Sequence, residues 1–370
     1  MSDIPESDRL DDFPHPREVS TLVGQDEAER AVFDAFMGGR MHHAWLLTGP
    51  KGIGKATLAY RIARFVLKYG SPDVAQAARI RDLSVPGEDG VFRQIAAQSH
   101  PNLLVIRRPY DDKAKRLKSV IPVEEVRRTA NFFGMSAGAG GWRIAIVDAA
   151  DEMNVNAENA LLKILEEPPA RGLFILISHQ PGRLLPTIRS RCRVLTMKPL
   201  STAHIADVLA ANAVKASEEE RVAIARLAEG SAGRALSIAA GGGLDLYRQL
   251  VALLMPLPRL DVKALHALAD KVGRRGADDA YETFIELLSD WLQRLVRTGA
   301  GAGGGADLVA GEGAAMARLA AGPGLDRWVE VWEKINQSVA RAEALNTDRK
   351  LVILNAFSML ESVAGERIGA

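Results

Sequence analysis

The sequence predicts a parallel α/β domain up to about residue 200, followed by domains built from helices alone. Two observations support this prediction. Four short apolar runs, at 44–48, 102–106, 143–147 and 173–178, alternate with segments of helical periodicity, as expected for strands buried on both faces of a parallel sheet. Beyond residue 201, Ala- and Leu-rich segments of helical spacing follow one another, and no strand candidate remains.

Helices are predicted wherever apolar residues recur three or four positions apart. The first predicted helix covers 27–37 and precedes the first strand. In the helical half, the predicted helices lie at 203–214, 218–228, 232–240, 244–254, 262–273, 277–297, 325–345 and 348–362. Trp328 and Trp332 are four residues apart, so both are expected to pack inside this half.

The amino-acid composition excludes several classes of protein. The chain has 370 residues, of which 47% are hydrophobic and 25% charged, so it has enough apolar side chains for folded cores. Lys and Arg number 47 against 46 Asp and Glu, which excludes a polybasic or polyacidic protein overall. The single cysteine, Cys192, excludes an internal disulfide framework and a cysteine-rich zinc module. We therefore expect a protein of a reducing, cytoplasmic compartment.

The chain is predicted to divide into an N-terminal arm and three domains. Residues 1–19 are acidic and turn-rich, so they are expected to form a flexible arm. They contain no apolar core of a signal peptide, and nowhere in the sequence do 18 uninterrupted apolar residues occur. No membrane contact is therefore expected. The strands lie within 20–200, and Gly241-Gly242-Gly243 separates helical domains at 201–242 and 243–370. The Gly-rich segment 298–324 is expected to be a flexible loop.

A phosphate-binding loop is the clearest motif of the sequence. Gly49-Pro50-Lys51-Gly52-Ile53-Gly54-Lys55 follows the first strand and opens a helix that runs to about residue 67. Gly49, Gly52 and Gly54 let backbone N–H groups surround phosphate oxygens, and the helix N-terminus adds a favourable dipole. Lys55 supplies a positive charge for the outer phosphates. We therefore predict a nucleotide site at this loop.

Two positions of this site depart from an active ATPase. A Ser or Thr should follow Lys55 to ligate Mg²⁺, but the residue is Ala56, and Thr57 lies one position further, rotated by about 100° around the helix. Asp148 ends the third strand, where a magnesium-organising aspartate is expected, yet Ala149 follows in place of the glutamate that orients water. We predict a degenerate site that holds ATP or ADP weakly or only structurally.

Two motifs later in the sequence are more specific than the phosphate-binding loop. The segment 159–169 reads NALLKILEEPP, an amphipathic helix ended by its two prolines, and Ser190-Arg191-Cys192 follows the fourth strand. Taken together, these motifs resemble the clamp-loader branch of the AAA+ ATPases of bacterial DNA polymerase III. The resemblance covers 20–200, and the segment GSAGRAL at 230–236 resembles the sensor segment of that family's second domain.

The resemblance implies an AAA+ P-loop domain, a small helical lid and a C-terminal collar that joins subunits. It implies that Arg191 is an arginine finger, acting in trans on ATP held by a neighbouring gamma or tau ATPase subunit. The delta subunit is a further partner, and the sliding clamp and primed DNA are reached through the assembled complex. The chain would be a component of a DNA polymerase holoenzyme in the nucleoid-associated replisome, with no independent catalysis.

Departures from the family pattern refine this expectation. Ala56 and Ala149 match a non-hydrolysing subunit rather than the gamma or tau motor. The segment 69–101 lacks the four cysteines of a zinc module found in many relatives, so no zinc is expected and no cofactor is required. The sensor arginine of a motor would fall at Gly233, and Arg234 is displaced by one residue. Ser178 or His179 occupies the first-sensor region.

Two other functions remain open. An autonomous ATPase would use Lys55, Asp148 and either Asp151 or Glu152, although the strand register favours solvated carboxylates at the start of the next turn for the last two. A P-loop kinase acting on a small molecule leaves the helical half and the SRC motif without a role.

The remaining polar side chains are assigned structural roles. The basic run at 107–118 is expected to be a solvated loop rather than a nucleic-acid site. Cys192 is expected to be a small buried residue rather than a nucleophile. Structural roles are also predicted for His42, His43, Arg189 and Arg193.

Overall fold

The computed structural model describes residues 5–10, 12–134, 141–274, 276–302, 307–322, 324–345 and 347–366. The chain folds into two compact units. The first comprises Met1–Val214 and Ala228–Arg234, and the second comprises Lys215–Leu227 and Ala235–Ala370. The division into an arm and three domains stays a prediction.

A parallel five-stranded sheet forms the centre of the first unit. Its strands are β1 (Ala44–Thr48), β2 (Leu103–Ile106), β5 (Arg143–Asp148), β6 (Gly172–Ser178) and β7 (Arg193–Thr196). They lie in the order β2-β5-β6-β1-β7. A separate antiparallel hairpin joins β3 (Tyr110–Asp111) to β4 (Arg116–Leu117). The predicted parallel sheet is confirmed, with β7 and the hairpin as additions.

Helices cover both faces of this sheet. One face packs against α1 (Asp26–Met37), α2 (Lys55–Tyr69), α3 (Pro72–Ala77) and α4 (Gly90–Ala96), and the other against α5 (Val123–Gly134), α6 (Val155–Glu166) and α7 (Pro186–Arg191). Within β1, Trp45 and Leu47 face the first group and Leu46 faces the second, because successive side chains of a strand point to opposite sides. The helix α8 (Thr202–Ala211) follows.

The N-terminal arm is ordered where the structure describes it, in contrast to the predicted flexible segment. His15 is 1% exposed, and its Nδ1 accepts a hydrogen bond of 3.1 Å from the backbone N–H of Arg17. Its Nε2 lies 3.1 Å from carboxylate oxygens of both Glu6 and Asp8. Arg107, next to β2, contacts the same two carboxylates at 2.8 and 3.0 Å. These ion pairs hold the arm against the residue that follows β2. They could not be predicted, because the arm has no helical or strand periodicity.

Glu6, Asp8 and His15 are also close enough to be tested as a metal-ligand set. Because His15 Nδ1 accepts a hydrogen bond, Nε2 carries the ring hydrogen and offers no lone pair to a cation. Arg17 and Arg107 already neutralise the two negative charges. The arrangement therefore fits a cluster of ion pairs and does not fit a cation site.

Replacing Arg107 with Ala is expected to destabilise the first unit by about 2 to 3 kcal/mol, because it leaves the largely buried Asp8 carboxylate without its guanidinium partner. Urea unfolding followed by far-UV circular dichroism measures this loss. Arg116→Ala, on the exposed hairpin, is the matched control and should change stability by no more than about 0.5 kcal/mol. Equal losses in both variants would contradict a stabilising role for the cluster.

The described residues of the second unit form helices joined by loops and no strand, as predicted. Its helices are α9 (Glu218–Leu227), the larger part of α10 (Ala232–Ala240), α11 (Gly243–Leu254), α12 (Val262–Gly273), α13 (Asp278–Gly299), α14 (Glu312–Ala320), α15 (Leu325–Leu345) and α16 (Arg349–Gly365). Trp328 is fully buried and donates to Leu319 O at 3.1 Å, and Trp332 donates to Ser289 Oγ at 2.8 Å. The predicted packing of both tryptophans is confirmed.

The Gly-rich segment 298–324 contains a helix, so the prediction of one flexible loop was wrong there. Residues 303–306 and 323 lie outside the described residues. Within the remainder, α14 buries Met316 and Leu319 and begins at Glu312, whose side chain is fully buried. This short helix was not predicted, because its few apolar residues lie among many glycines.

Among the described helices, none is long and apolar enough to cross a membrane.

Candidate nucleotide site and exposed arginine

The phosphate-binding loop lies at the carboxyl edge of the sheet, between β1 and α2. Thr48 at the end of β1 is in register with Ser178 at the end of β6, and Asp148 at the end of β5 is in register with Ile177. The ends of three adjacent strands therefore meet beside the loop. The loop needs glycine where it leaves β1, because Gly49 has a φ of +138° and an added Cβ would lie 2.6 Å from Met197 O.

Lys55 is folded against its own loop. Its Nζ donates to Gly49 O at 2.6 Å and also to Pro50 O, and the residue is only 3% exposed. Burial lowers the pKa of Lys55 to about 8, while the nearby carboxylates Asp148 and Asp151 act in the opposite direction. The ammonium group is therefore still mostly protonated at pH 7, and backbone carbonyls take part of its hydrogen-bonding capacity.

The segment 228–234 covers the other side of the loop. The backbone N–H of Gly233 donates to Gly52 O at 2.9 Å. A Cβ on Gly52, whose φ is +78°, would lie 2.3 Å from Ser231 Oγ and 3.1 Å from Gly233 N. This close approach requires glycine at 52 and gives Gly233, in the predicted sensor segment, a structural contact with the loop.

The first turn of α2 carries no hydroxyl at the position after Lys55. Ala56 and Thr57 are both half-buried, and Ala56 packs against the core on the α2 face of the sheet. The predicted absence of a magnesium ligand at 56 follows from the sequence itself.

Asp148 faces this edge of the sheet from β5. It is 8% exposed, and burial, followed by the negative charges of Asp8 and Glu152, raises its pKa, whereas Lys55 and Arg107 oppose the rise. Arg107 follows β2 in the register that places Ile106 beside Val147, so the arm cluster lies next to Asp148. A raised pKa favours the neutral acid, which is a poorer magnesium ligand than the carboxylate.

Asp151 differs from the predicted solvated carboxylate. It lies in a 3-10 turn, Ala150–Glu152, is 9% exposed, and its Oδ1 accepts a 2.9 Å hydrogen bond from the backbone N–H of His179. Glu152 is more exposed and forms an ion pair of 2.9 Å with Arg108. Asp151 thus connects the turn after β5 to the end of β6, a contact over 28 residues that local sequence does not reveal.

Both first-sensor candidates lie at this edge. Ser178 is fully buried, and its Oγ has no hydrogen-bond partner among the described residues. Burial, followed by the positive charge of Lys55, lowers the pKa of His179 to about 4, so the imidazole is neutral at pH 7. The structure brings Lys55, Asp148, Asp151 and His179 together and leaves the choice between the two sensor candidates open.

Arg191 lies on the other side of the sheet from α2. It is the last residue of α7, whose Ile188 packs into the core shared with α6. Its Nη2 contacts Glu166 Oε1 at 2.8 Å, its Nη1 donates to Thr187 O at 3.0 Å, and its side chain is 34% exposed. The guanidinium group is therefore held at the protein surface. The sequence predicted Arg191 as a functional residue but gave no indication of Glu166.

The three residues considered beside Arg191 differ in their surroundings. Cys192 is buried, as predicted, and burial raises the pKa of its thiol to about 12. The guanidinium of Arg193 lies 4.7 Å above the ring of Trp45. Arg189 is exposed.

The paired histidines and the basic run were also predicted to have no functional role. His42 and His43 stack with ring centroids 4.4 Å apart. The basic run forms the β3–β4 hairpin rather than a loop, and Asp111 Oδ1 accepts the backbone N–H groups of Lys113 and Ala114 in its turn. Its exposed cations are Lys113, Lys115, Arg116 and Lys118.

The sheet order, the phosphate-binding loop after β1 and the helices that follow define an AAA+ type P-loop protein. A family model described as DNA polymerase III, delta subunit, matches residues 24–201. The DNA polymerase III subunit delta' of Escherichia coli is 30% identical over 261 residues, which are 70% of this chain and 72% of that protein. The chain belongs to the family of DNA polymerase III delta' subunits.

Two other relatives match over a smaller part of their length. The delta' subunit of Pseudomonas aeruginosa is 42% identical over 158 residues, which are 42% of this chain and 44% of that protein. The tau subunit of Salmonella typhimurium is 30% identical over 270 residues, which are 70% of this chain and 39% of that protein. The chain thus spans less than half the length of these two relatives. The chain is similar to both delta' and tau proteins, so the residues of its own nucleotide site must show which of the two it resembles in function.

Proposed function

We propose that this chain is the stator subunit of a DNA polymerase III clamp loader, which hydrolyses no ATP itself and supplies Arg191 to ATP held by a neighbouring gamma or tau subunit. The observation that carries the proposal is the surface guanidinium of Arg191 at the end of α7, on the face of the sheet opposite α2. A guanidinium in that place can reach a nucleotide of another subunit and stabilise charge on the transferring phosphoryl group.

The chain's own site supports a role without hydrolysis. Ala56 offers no oxygen to Mg²⁺, and Ala149 offers no carboxylate to orient water. Lys55 is bonded to loop carbonyls, and the segment with Ser231 and Gly233 contacts the loop directly. Any binding of ATP or ADP through Gly49, Gly52, Gly54, Lys55, Thr57 and Asp148 would therefore be weak.

The proposal includes partners that the names of the relatives suggest. The chain would assemble with gamma or tau and with the delta subunit, and would act on the sliding clamp and primed DNA as part of that complex, inside the cytoplasmic replisome. No zinc or other cofactor is required. The second unit, rich in long helices, would contribute to the collar that joins subunits.

Reconstitution tests this proposal. The full chain is mixed with the delta and gamma or tau subunits of the same organism, and assembly is measured by size-exclusion chromatography with light scattering. Loading of a fluorescent clamp onto primed circular DNA is then compared with and without the chain. We expect a stable complex and loading that depends on the chain. Failure to enter the complex, or undiminished loading without the chain, would contradict the proposed role.

An autonomous ATPase is the second candidate, favoured by the cluster of Lys55, Asp148 and Asp151 at one sheet edge. The variant Lys55→Ala separates the two functions. For a stator, we expect turnover of the reconstituted complex to stay within about twofold of wild type, because no transition state forms at this loop. ATP hydrolysis by the isolated chain that disappears in Lys55→Ala would favour the autonomous ATPase instead.

A further inference from the structure

The two motifs that narrow the family are joined by a direct contact. Glu166 belongs to the segment NALLKILEEPP and Arg191 to the SRC motif, and Glu166 Oε1 lies 2.8 Å from Arg191 Nη2. Both residues lie in the first unit. The second anchor of the guanidinium is Thr187 O of α7, which accepts Arg191 Nη1 at 3.0 Å and also the Ser190 hydroxyl at 3.1 Å.

The position of Glu166 is not explained by helix stability. α6 ends at Glu166, because Glu167 precedes Pro168 and the residue before proline is disfavoured in the helical conformation. A carboxylate at the C-terminal end of a helix is unfavourable with the helix dipole. The ion pair with Arg191 provides a reason for an acidic residue there. Glu167 is also exposed, but no ion pair or hydrogen bond of its side chain occurs among the described residues.

The helix that carries Arg191 is itself held by α6. Leu184 and Ile188 of the α7 region are buried in the core that α6 shares. Glu166, the last residue of α6, contacts Arg191, the last residue of α7. α6 therefore sets both the direction of α7 and the place of the guanidinium at its end.

We propose that Glu166 is a positioning residue for Arg191, holding its guanidinium in one orientation before the neighbouring subunit binds ATP. The inference rests on the proposed role of Arg191 in trans. A guanidinium has five N–H donors, of which Glu166 and Thr187 each take one, so three remain for phosphate oxygens. An arginine already fixed in this way loses less side-chain entropy when it meets the phosphate than a free one does.

The test compares Glu166→Gln with Glu167→Gln in the reconstituted clamp loader. Both variants remove one negative charge next to the same helix end, but only the first breaks the ion pair. We expect Glu166→Gln to lower kcat for ATP at saturating primed DNA about three- to fivefold, as suits an exposed ion pair, without a change in KM. Glu167→Gln should match wild type. Assembly is checked by size-exclusion chromatography.

A double-mutant cycle with Arg191→Ala shows whether Glu166 acts through the arginine. We expect Glu166→Gln to have no further effect in the Arg191→Ala background. We also expect the ratio of wild-type to Glu166→Gln turnover to fall towards one as salt is raised, because an exposed pair is screened.

Other outcomes overturn the inference and separate it from the proposed function. Unchanged or faster turnover in Glu166→Gln would contradict positioning, and so would an equal loss in both arginine backgrounds. If Arg191→Ala lowers turnover while Glu166→Gln does not, the inference fails and the finger remains. If Arg191→Ala has no effect, the proposed function of the arginine fails as well.

Discussion

Replacement of Arg191 with Ala in the reconstituted clamp loader is expected to lower primed-DNA-stimulated ATP turnover about tenfold or more while the complex stays assembled. An arginine that enters a neighbouring site stabilises charge on the transferring phosphoryl group, and removal of such a group costs about 10³ to 10⁵ in rate at that site in well-studied systems. Steady-state phosphate release measures the change.

Two variants make this prediction specific. Arg189→Ala removes an exposed arginine two residues away on the same helix and should leave turnover unchanged. Arg191→Lys keeps the charge but loses the planar fork of donors, so an intermediate rate is expected. Because Arg191 is partly exposed and its two partners lie on surface helices, none of these changes should unfold the chain. Full turnover in an intact Arg191→Ala complex would remove the arginine from the mechanism.

The predictable part of the fold is the part with local periodicity. The four apolar runs became β1, β2, β5 and β6, because strands buried on both faces read as continuous apolar stretches. β7 escaped prediction because it lies at the sheet edge and pairs only with β1, so most of its side chains remain outside the core. An edge strand with Arg193 at its start has no apolar run to identify it.

The predictable part of the site is the part fixed by residue type. Ala56 has no hydroxyl and Ala149 has no carboxylate, and residue identity alone establishes both facts. The bond from Gly233 N–H to Gly52 O joins residues about 180 positions apart, and no local pattern specifies that contact. The same holds for Asp151, whose backbone partner His179 comes from the next strand. The functional groups present at the site could therefore be predicted from the sequence, whereas the long-range hydrogen bonds that position them could not.

Long-range ion pairs account for the errors in the predicted flexible segments. The arm was predicted to be loose because its residues are polar, yet Arg107 pairs with its carboxylates. The start of α14 was hidden in the same way: Glu312 is a charged residue among glycines, and it becomes fully buried because Arg294 on α13 and Tyr247 on α11 contact it. A charged residue in a polar segment predicts solvent exposure until its partner is known.

The Glu312 cluster leads to the largest expected loss of stability in the second unit. Arg294 Nη1 lies 3.0 Å from Glu312 Oε1 and donates to the Tyr247 hydroxyl at 2.6 Å, while the other carboxylate oxygen accepts the backbone N–H of Leu308 at 3.1 Å. Burial and the Glu312 charge raise the pKa of Tyr247, so its hydroxyl stays protonated and donates to the carboxylate. One side chain thus connects three helices.

Glu312→Ala is therefore expected to lower the free energy of unfolding by about 3 to 5 kcal/mol, since it leaves Arg294 largely buried without a counter-charge and frees the backbone N–H groups before α14. Tyr247→Phe keeps the ion pair and should cost only about 1 kcal/mol. Glu333→Ala, an exposed position on α15, is the matched control. Urea unfolding followed by circular dichroism ranks the three variants. If Glu312→Ala is no less stable than Glu333→Ala, the buried cluster does not stabilise the unit, and α14 is held by its apolar face alone.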